Sequence, residues 1–361
     1  MRSSAAGTDC VQLLTPEGER LRPAGYEDID FTADEVRDFY RDFVLVRRID
    51  TEATALQRQG ELGIWASLLG QEAAQVGSAR ALRPNDFVFP TYREHGVAWC
   101  RGIDPIHLLG LFRGVDHGNW DPEEFNFGLY TIVIGAQCLH ATGYAMGMMR
   151  DGAEDAVLAY FGDGASAQGD VNEALIWAGV FNTPVVFFCQ NNQWAISVPL
   201  QRQSRTPLYK RAQGFGFPGI QVDGNDVFAV HAVTSRALAS AREGNGPTLI
   251  EAVTYRMGAH TTNDDPSRYR IESEVEEWRL KDPIERVRVY LARSGLADQA
   301  FFDSIEEEAN DLAASLRKRC VEMPDPDPTR MFSQVYAEPS PLLDQEREEY
   351  LSYLAGFEGG H

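Results

Sequence analysis

Apolar positions along this chain fall into two rhythms. Val36, Phe39, Tyr40, Phe43, Val44 and Ile49 recur at roughly helical spacing, and Thr32-Ala33-Asp34-Glu35 just before them has the spacing of a capping box. A long helix is predicted there. Elsewhere the apolar positions are contiguous: Val157-Leu158-Ala159-Tyr160-Phe161 ends in Gly162-Asp163-Gly164, residues 165 to 190 carry a helical stretch and a second apolar segment, and the chain then reaches Asn191-Asn192. Strand, turn, helix, strand and polar turn make one βαβ unit. The fold class predicted is α/β, with a mostly parallel central sheet flanked by helices.

The two ends read differently. Residues 1–30 scatter glycine, proline and charge and are expected to form an extension leading into the domain. Pro324, Pro326, Pro328, Pro339 and Pro341 mark an irregular stretch before a short charged helix around Leu343 to Phe357. The organisation expected is therefore an extension over 1–30, an α/β domain over 31–323, and a proline-rich stretch with a terminal helix over 324–361.

The βαβ unit places chemistry at one edge. Ligands of open parallel sheets bind outside the carboxyl ends of the strands, where Asp163 and Asn192 both fall. A carboxylate and a carboxamide oxygen are hard ligands that suit Mg²⁺, which completes its octahedron with phosphate oxygens. A magnesium diphosphate is the ligand this pair predicts. Glycines at 162 and 164 are expected to let the backbone turn sharply and approach the phosphates, and a helix opening near Asp170 and Val171 adds a modest dipole. There is no GxxxxGK[ST] string and no third glycine of a GxGxxG fingerprint, so mononucleotide and dinucleotide loops are disfavoured.

Composition narrows the partners. A formal charge of −21, from 33 basic and 54 acidic residues, argues against nonspecific binding to nucleic acid or anionic membranes. With 361 residues and 43% hydrophobic content, a large core can be filled. The five cysteines are scattered without CxxC pairs, so neither a disulfide framework nor a zinc site is indicated. No segment approaches 18 consecutive apolar residues and Met1 to Thr8 lacks a secretory apolar region. A cytoplasmic location is expected.

The Gly162-Asp163-Gly164 turn followed by Asn191-Asn192 resembles the thiamine diphosphate motif, and the resemblance extends further. GQEAAQVG at 70–77, FPTYREHG at 89–96, FRGVDHG at 112–118, IGAQ at 134–137 and YRMGAHTTNDDPSRYR at 255–270 occur in order. Over roughly residues 30 to 340 the chain is similar to the alpha subunit of the decarboxylating component of 2-oxo acid dehydrogenase complexes. WASLLGQEAAQ, LYTIVIGAQ and the Asp264-Asp265 pair look closer to branched-chain 2-oxo acid members than to pyruvate members.

That resemblance implies a thiamine diphosphate-binding fold, oxidative decarboxylation of a 2-oxo acid, and transfer of the acyl group to a lipoyl domain of the acyltransferase component. It implies Mg²⁺ on Asp163, Asn192 and the Trp194 backbone oxygen, with Gly162, Gly164 and Ala165 bordering the cofactor. The glutamate that acts on the aminopyrimidine belongs to a separate beta subunit in this family. The chain is thus expected to be inactive alone and to work in a heterotetramer of two alpha and two beta chains, whose partner covers an apolar face.

Several residues change meaning under the resemblance. Tyr92-Arg93 after Phe89-Pro90 is by itself most often a surface ion pair; the family puts both on the diphosphate, where a guanidinium fork fits. Ile134, in an apolar run, would by itself be core; the family sets it against the thiamine rings. His260, in a polar turn-rich loop, would by itself be solvated. The family makes it a catalytic residue that positions the diphosphate and assists acyl transfer, using an imidazole whose unperturbed pKa is about 6.5. His117 resembles a second active-site histidine that contacts substrate or lipoyl group, while the other five histidines are assigned structural or surface roles.

Two departures limit the carry-over. Thr131, Val133, Ala136 and Gln137 only partly match a potassium site found in some relatives, so potassium is not predicted. Thr261 stands where animal relatives carry a phosphorylated serine, and that control is not predicted either. The alternatives kept open are a pyruvate dehydrogenase alpha subunit and a noncatalytic partner or scaffold with the same fold.

Overall fold

In the computed structural model, which describes residues 10–358, the strands are β1 (Phe87–Phe89), β2 (Val157–Gly162), β3 (Val185–Asn191), β4 (Trp194–Ala195), β5 (Val198–Pro199), β6 (Gly219–Asp223) and β7 (Thr248–Val253). Five of them form one sheet in the order β1-β2-β3-β7-β6, and every pair in it is parallel. The short β4 and β5 pair antiparallel beside it.

Contiguous apolar runs form these strands because helices cover both faces of the sheet. Val157, Ala159 and Phe161 of β2 share one face with Val185, Phe187 and Cys189 of β3, packed in a core with Cys138, Ala141, Val171 and Ala174 of helices Ala136–Asp151 and Gly169–Phe181. After β3 the chain skips to β6 at the far edge and returns through helix Val227–Arg242 to β7 between them. A right-handed crossover running backwards places that helix on the opposite face. There Tyr160 reaches Ser78 of helix Glu72–Arg80, oxygen to oxygen, at 2.7 Å.

Register brings the strand ends level. Gly162 pairs with Gln190, and Asn191 with Val253, so the residues that follow β2, β3 and β7 emerge along one edge.

The long amino-terminal helix runs Ala33–Arg58. Its capping box forms as predicted: Glu35 N donates to Thr32 Oγ1 at 3.2 Å and Thr32 N to Glu35 Oε2 at 2.7 Å. All six apolar residues that signalled it are buried. Before it, the lead-in is fastened to the sheet edge. Val11 bridges Val222 of β6, and the amides of Leu13 and Leu14 both donate to the Asp226 carboxylate at 2.6 Å. An otherwise open strand edge is thereby covered.

The chain divides into two compact units, one ending at Val321 and one beginning at Glu322. The second holds helix Pro341–Glu358, around the predicted Leu343 to Phe357. All five cysteines are free. No described helix is long and apolar enough to cross a membrane.

Candidate active site

A cleft of about 310 Å³ opens at the carboxyl edge of the sheet, lined by residues that follow β1, β2, β3 and β7. Tyr92, Arg93, Ile134, Gly162, Asp163, Gly164, Ala165, Asn192, Trp194 and His260 all border it. The two predicted ligand turns therefore meet, joined by three distant segments.

Asp163 directly follows β2 and is 1% exposed. Burial pushes its carboxyl up to about 6, although Gln203 Nε2 donates to Oδ2 at 2.7 Å. Such a carboxylate is short of positive charge. Across the turn, Asn192 Nδ2 donates to Gln71 Oε1 at 3.1 Å while its Oδ1 accepts from Trp194 N at 3.2 Å. Gln71 thus fixes which way the carboxamide faces. The Trp194 carbonyl accepts from Arg256 Nη1 at 3.3 Å, and the backbone beside it is strained. Gln193 (φ 73) and Ile196 (φ 54) are both left-handed, and for a β-branched residue that is a true outlier. Arg256 Nη2 holds the Ile196 carbonyl at 2.7 Å.

The glycines work differently from the sequence expectation. Neither Gly162 nor Gly164 has a positive φ. A Cβ on Gly164 would lie 2.7 Å from the Ala195 Cβ, whereas one on Gly162 would meet nothing. Gly164 is required by close packing of the turn on β4, and Gly162 leaves a bare backbone facing the cleft.

Arg93 is 6% exposed, not a surface ion pair. Its Nη1 donates to Ser67 O at 2.5 Å and its Nη2 to His260 O at 2.9 Å, while the turn that carries it is tied by Glu94 accepting from Thr91 N. The guanidinium sits 5.5 Å from the Tyr92 ring centroid.

His260 lies between two arginines. Nδ1 is 3.2 Å from Arg93 Nη2 and 3.1 Å from Arg256 Nη1. Guanidinium nitrogens can only donate, so Nδ1 must accept and the ring proton resides on Nε2. Burial, then Arg93 and Arg256, push its pKa down to about 3. The ordinary histidine pKa assumed from sequence is thus corrected: the ring is neutral and offers a fixed Nε2–H donor. Asp264 holds the loop by accepting from His260 N at 2.9 Å.

Ile134 borders the cleft and is 42% exposed, with Ile132 and Val133 more so. The run is not core of this chain, contrary to its bare apolar pattern. His117 is exposed in the turn after helix Pro105–Arg113, outside the cleft lining.

Sequence reasoning missed Arg256, Gln71 and Gln203. Arg256 is fully buried, and burial together with Arg93 lowers its pKa to about 10. The only signal was its position inside the 255–270 motif, four residues before His260.

As a metal centre the set fits a hard cation: a carboxylate, a carboxamide oxygen and a carbonyl oxygen on one turn pair. Among the described residues no three His, Cys, Asp or Glu side chains gather as a metal site. Ligand oxygens would have to complete such a shell.

Comparison with known proteins agrees with this arrangement. The chain is 46% identical over 96% of its length to the 3-methyl-2-oxobutanoate dehydrogenase subunit alpha of Mycobacterium tuberculosis, covering 94% of that protein. It is 39% identical to a pyruvate dehydrogenase E1 component subunit alpha of Acholeplasma laidlawii (88% of this chain, 93% of that one) and 36% identical to that of Bacillus subtilis (94% and 91%). The profile of the dehydrogenase E1 component family matches residues 40–328, which contain every residue of the cleft. This chain belongs to the dehydrogenase E1 component family.

Proposed function

We propose that the chain is the alpha subunit of a branched-chain 2-oxo acid dehydrogenase, using thiamine diphosphate and Mg²⁺ to decarboxylate 2-oxo acids such as 3-methyl-2-oxobutanoate and acylate a lipoyl group. The observation that carries this is the convergence of Asp163, Asn192, Arg93 and His260 on one cleft. Branched-chain substrate is favoured over pyruvate by the higher identity to the 3-methyl-2-oxobutanoate relative, 46% against 39% and 36%.

Thiamine diphosphate, when bound, supplies the nucleophilic carbon and the electron sink for decarboxylation. This chain holds and orients. Asp163, the Asn192 carboxamide and the Trp194 carbonyl would ligate Mg²⁺, and the bare turn over Gly162, Gly164 and Ala165 would admit the diphosphate. Tyr92 and Arg93 line the same cleft and would border that anion, and Ile134 would offer an apolar surface to the cofactor rings. The Nε2–H of neutral His260 would be the donor available to the diphosphate or to an acyl oxygen at the cleft mouth. His117 lies in a turn free to meet substrate or lipoyl group.

The beta subunit would complete the site from an apolar face that this chain leaves open. Val133 is 71% and Val180 74% exposed, alongside Ile132, Tyr144, Ile176 and Trp177, a concentration that marks interfaces more than free surface. Two alpha and two beta chains would form the working heterotetramer, in the cytoplasm.

The test is turnover by the chain co-purified with its beta partner, offered pyruvate and 3-methyl-2-oxobutanoate side by side with thiamine diphosphate, Mg²⁺ and lipoamide. Preference for the branched acid is expected. Preference for pyruvate overturns the substrate assignment, and failure to bind thiamine diphosphate overturns the enzyme reading in favour of a noncatalytic scaffold.

A further inference from the structure

We propose that Asp50 is a positioning residue for the active site, acting through segment 65–69 to place both Arg93 and the His260 loop; this rests on the functional reading above. Asp50 sits on helix Ala33–Arg58, is 4% exposed, and touches no residue of the cleft lining through its carboxylate. Its oxygens instead take three donors from one short segment. Oδ1 accepts from Trp65 Nε1 at 2.8 Å and from Leu68 N at 3.0 Å, and Oδ2 accepts from Ser67 Oγ at 2.6 Å.

That segment lies one layer behind the cleft lining. Ser67 O takes Arg93 Nη1, which leaves Nη2 to reach His260. Trp65 exchanges two backbone-side bonds with Thr262, from Trp65 N to Thr262 Oγ1 at 3.0 Å and from Thr262 N to Trp65 O at 2.9 Å. Leu69 O accepts from Met257 N at 3.1 Å. The loop bearing His260 is therefore pinned to residues 65–69 on both sides of the histidine. Gly258 between those pins packs closely on the same segment, since a Cβ there would lie 3.1 Å from Ser67 Oγ.

What holds residues 65–69 in turn is Asp50. Burial raises its pKa, and its three donors and then Arg93 lower it. Among the described residues it has no ion-pair partner, which makes its burial costly, and its carboxylate hydrogen bonds go to the one segment that carries Ser67 O and the Thr262 clamp. Asp50 thus acts at one remove: it shapes residues 65–69, and they aim Arg93 and the His260 loop.

The test uses the heterotetramer co-purified with its beta partner. Thiamine diphosphate affinity is measured by calorimetric titration in excess Mg²⁺, together with trypsin cleavage after Arg268 and the melting temperature. Asp50→Ala removes all three acceptors and is expected to weaken cofactor binding by about tenfold or more and to speed cleavage after Arg268. Asp50→Asn keeps an acceptor for Trp65 and Leu68 and can donate to Ser67 Oγ. It is expected to recover affinity to within about threefold of wild type.

A folded Asp50→Ala heterotetramer with wild-type affinity and unchanged cleavage overturns the proposal and leaves a purely structural aspartate. An Asn variant as weak as the Ala variant also overturns it, because charge and not position would then matter. Should the Ala variant fail to assemble, Ser67→Ala decides: it deletes one of the three bonds and keeps Ser67 O, so a smaller loss of affinity is expected and no loss refutes. If wild type itself binds no thiamine diphosphate, the functional reading fails separately, and cleavage after Arg268 still decides whether Asp50 holds the loop.

Discussion

Gly164→Ala isolates the close packing at the heart of the cleft. The added methyl would sit 2.7 Å from the Ala195 Cβ and 3.4 Å from its Cα, and the first contact is too short to persist, so the Asp163 turn and β4 must move apart. Overpacking of this kind costs about 1–3 kcal/mol. Because Asp163 and Trp194 ride on the two segments being separated, much of that cost should fall on cofactor affinity, a loss of roughly 5- to 100-fold. Calorimetric titration of the heterotetramer with thiamine diphosphate and Mg²⁺ measures it, alongside the melting temperature. Ala195→Gly removes the opposing methyl, so the double variant should regain most of the lost affinity and show a coupling of about 1–3 kcal/mol. Gly162→Ala is the contrast: its Cβ meets nothing in this chain, so the melting temperature should hold while binding weakens through contact with ligand alone. Additive effects of Gly164→Ala and Ala195→Gly would refute the packing account.

Other outcomes follow from the same geometry. Asp163→Ala should abolish magnesium-dependent cofactor binding while the fold survives, and unchanged affinity in the mutant heterotetramer would sink the metal assignment. His260→Ala should assemble yet lose acyl transfer to lipoamide, with full transfer showing the ring to be dispensable. The folded chain refuses a proton on His260 until about pH 3, whereas the unfolded chain takes one near pH 6.5. Stability from this group is therefore present above pH 6.5 and lost as pH falls towards 3. Cofactor-free wild type should lose melting temperature more steeply than His260→Gln between pH 7 and 5; parallel curves would contradict the neutral, arginine-flanked ring. Val180→Glu on the exposed apolar face should leave this chain folded but prevent co-purification of the beta partner, and intact assembly on a sizing column would move the interface elsewhere.

The parts legible in sequence were those whose cause is local. Thr32 and Glu35 are three residues apart, so a capping box can be read directly, and the β2–helix–β3 unit announces itself by apolar runs broken at glycine and asparagine. The place of Asp163 at the cleft followed because a residue after a parallel strand has few places to go. Arg256 could not be read this way: its bonds to Trp194 and Ile196 join the segment after β7 to a turn 60 or more residues away. The depressed pKa of His260 was hidden for the same reason, since Arg93 is far off in sequence. The run around Ile134 is ambiguous by itself, because an apolar string says that water is excluded, not whether this chain, another chain or a ligand excludes it. Gly162 and Gly164 were read as turn residues, and it took the distance to Ala195 to separate one that is packed from one that is bare.

The paired arginines around His260 also bear on how the site responds to being filled. Burial and Arg93 lower the basicity of Arg256, and both arginines lower that of His260, so two like charges are held against one lone pair while the nearby Asp264 carboxylate takes the His260 amide. A ligand carrying two negative charges relieves that repulsion; thiamine without its diphosphate, a thiazolium cation, cannot. Diphosphate binding should accordingly tighten the loops at 193–196 and 257–262 together, as though a spring compressed between them had been let go.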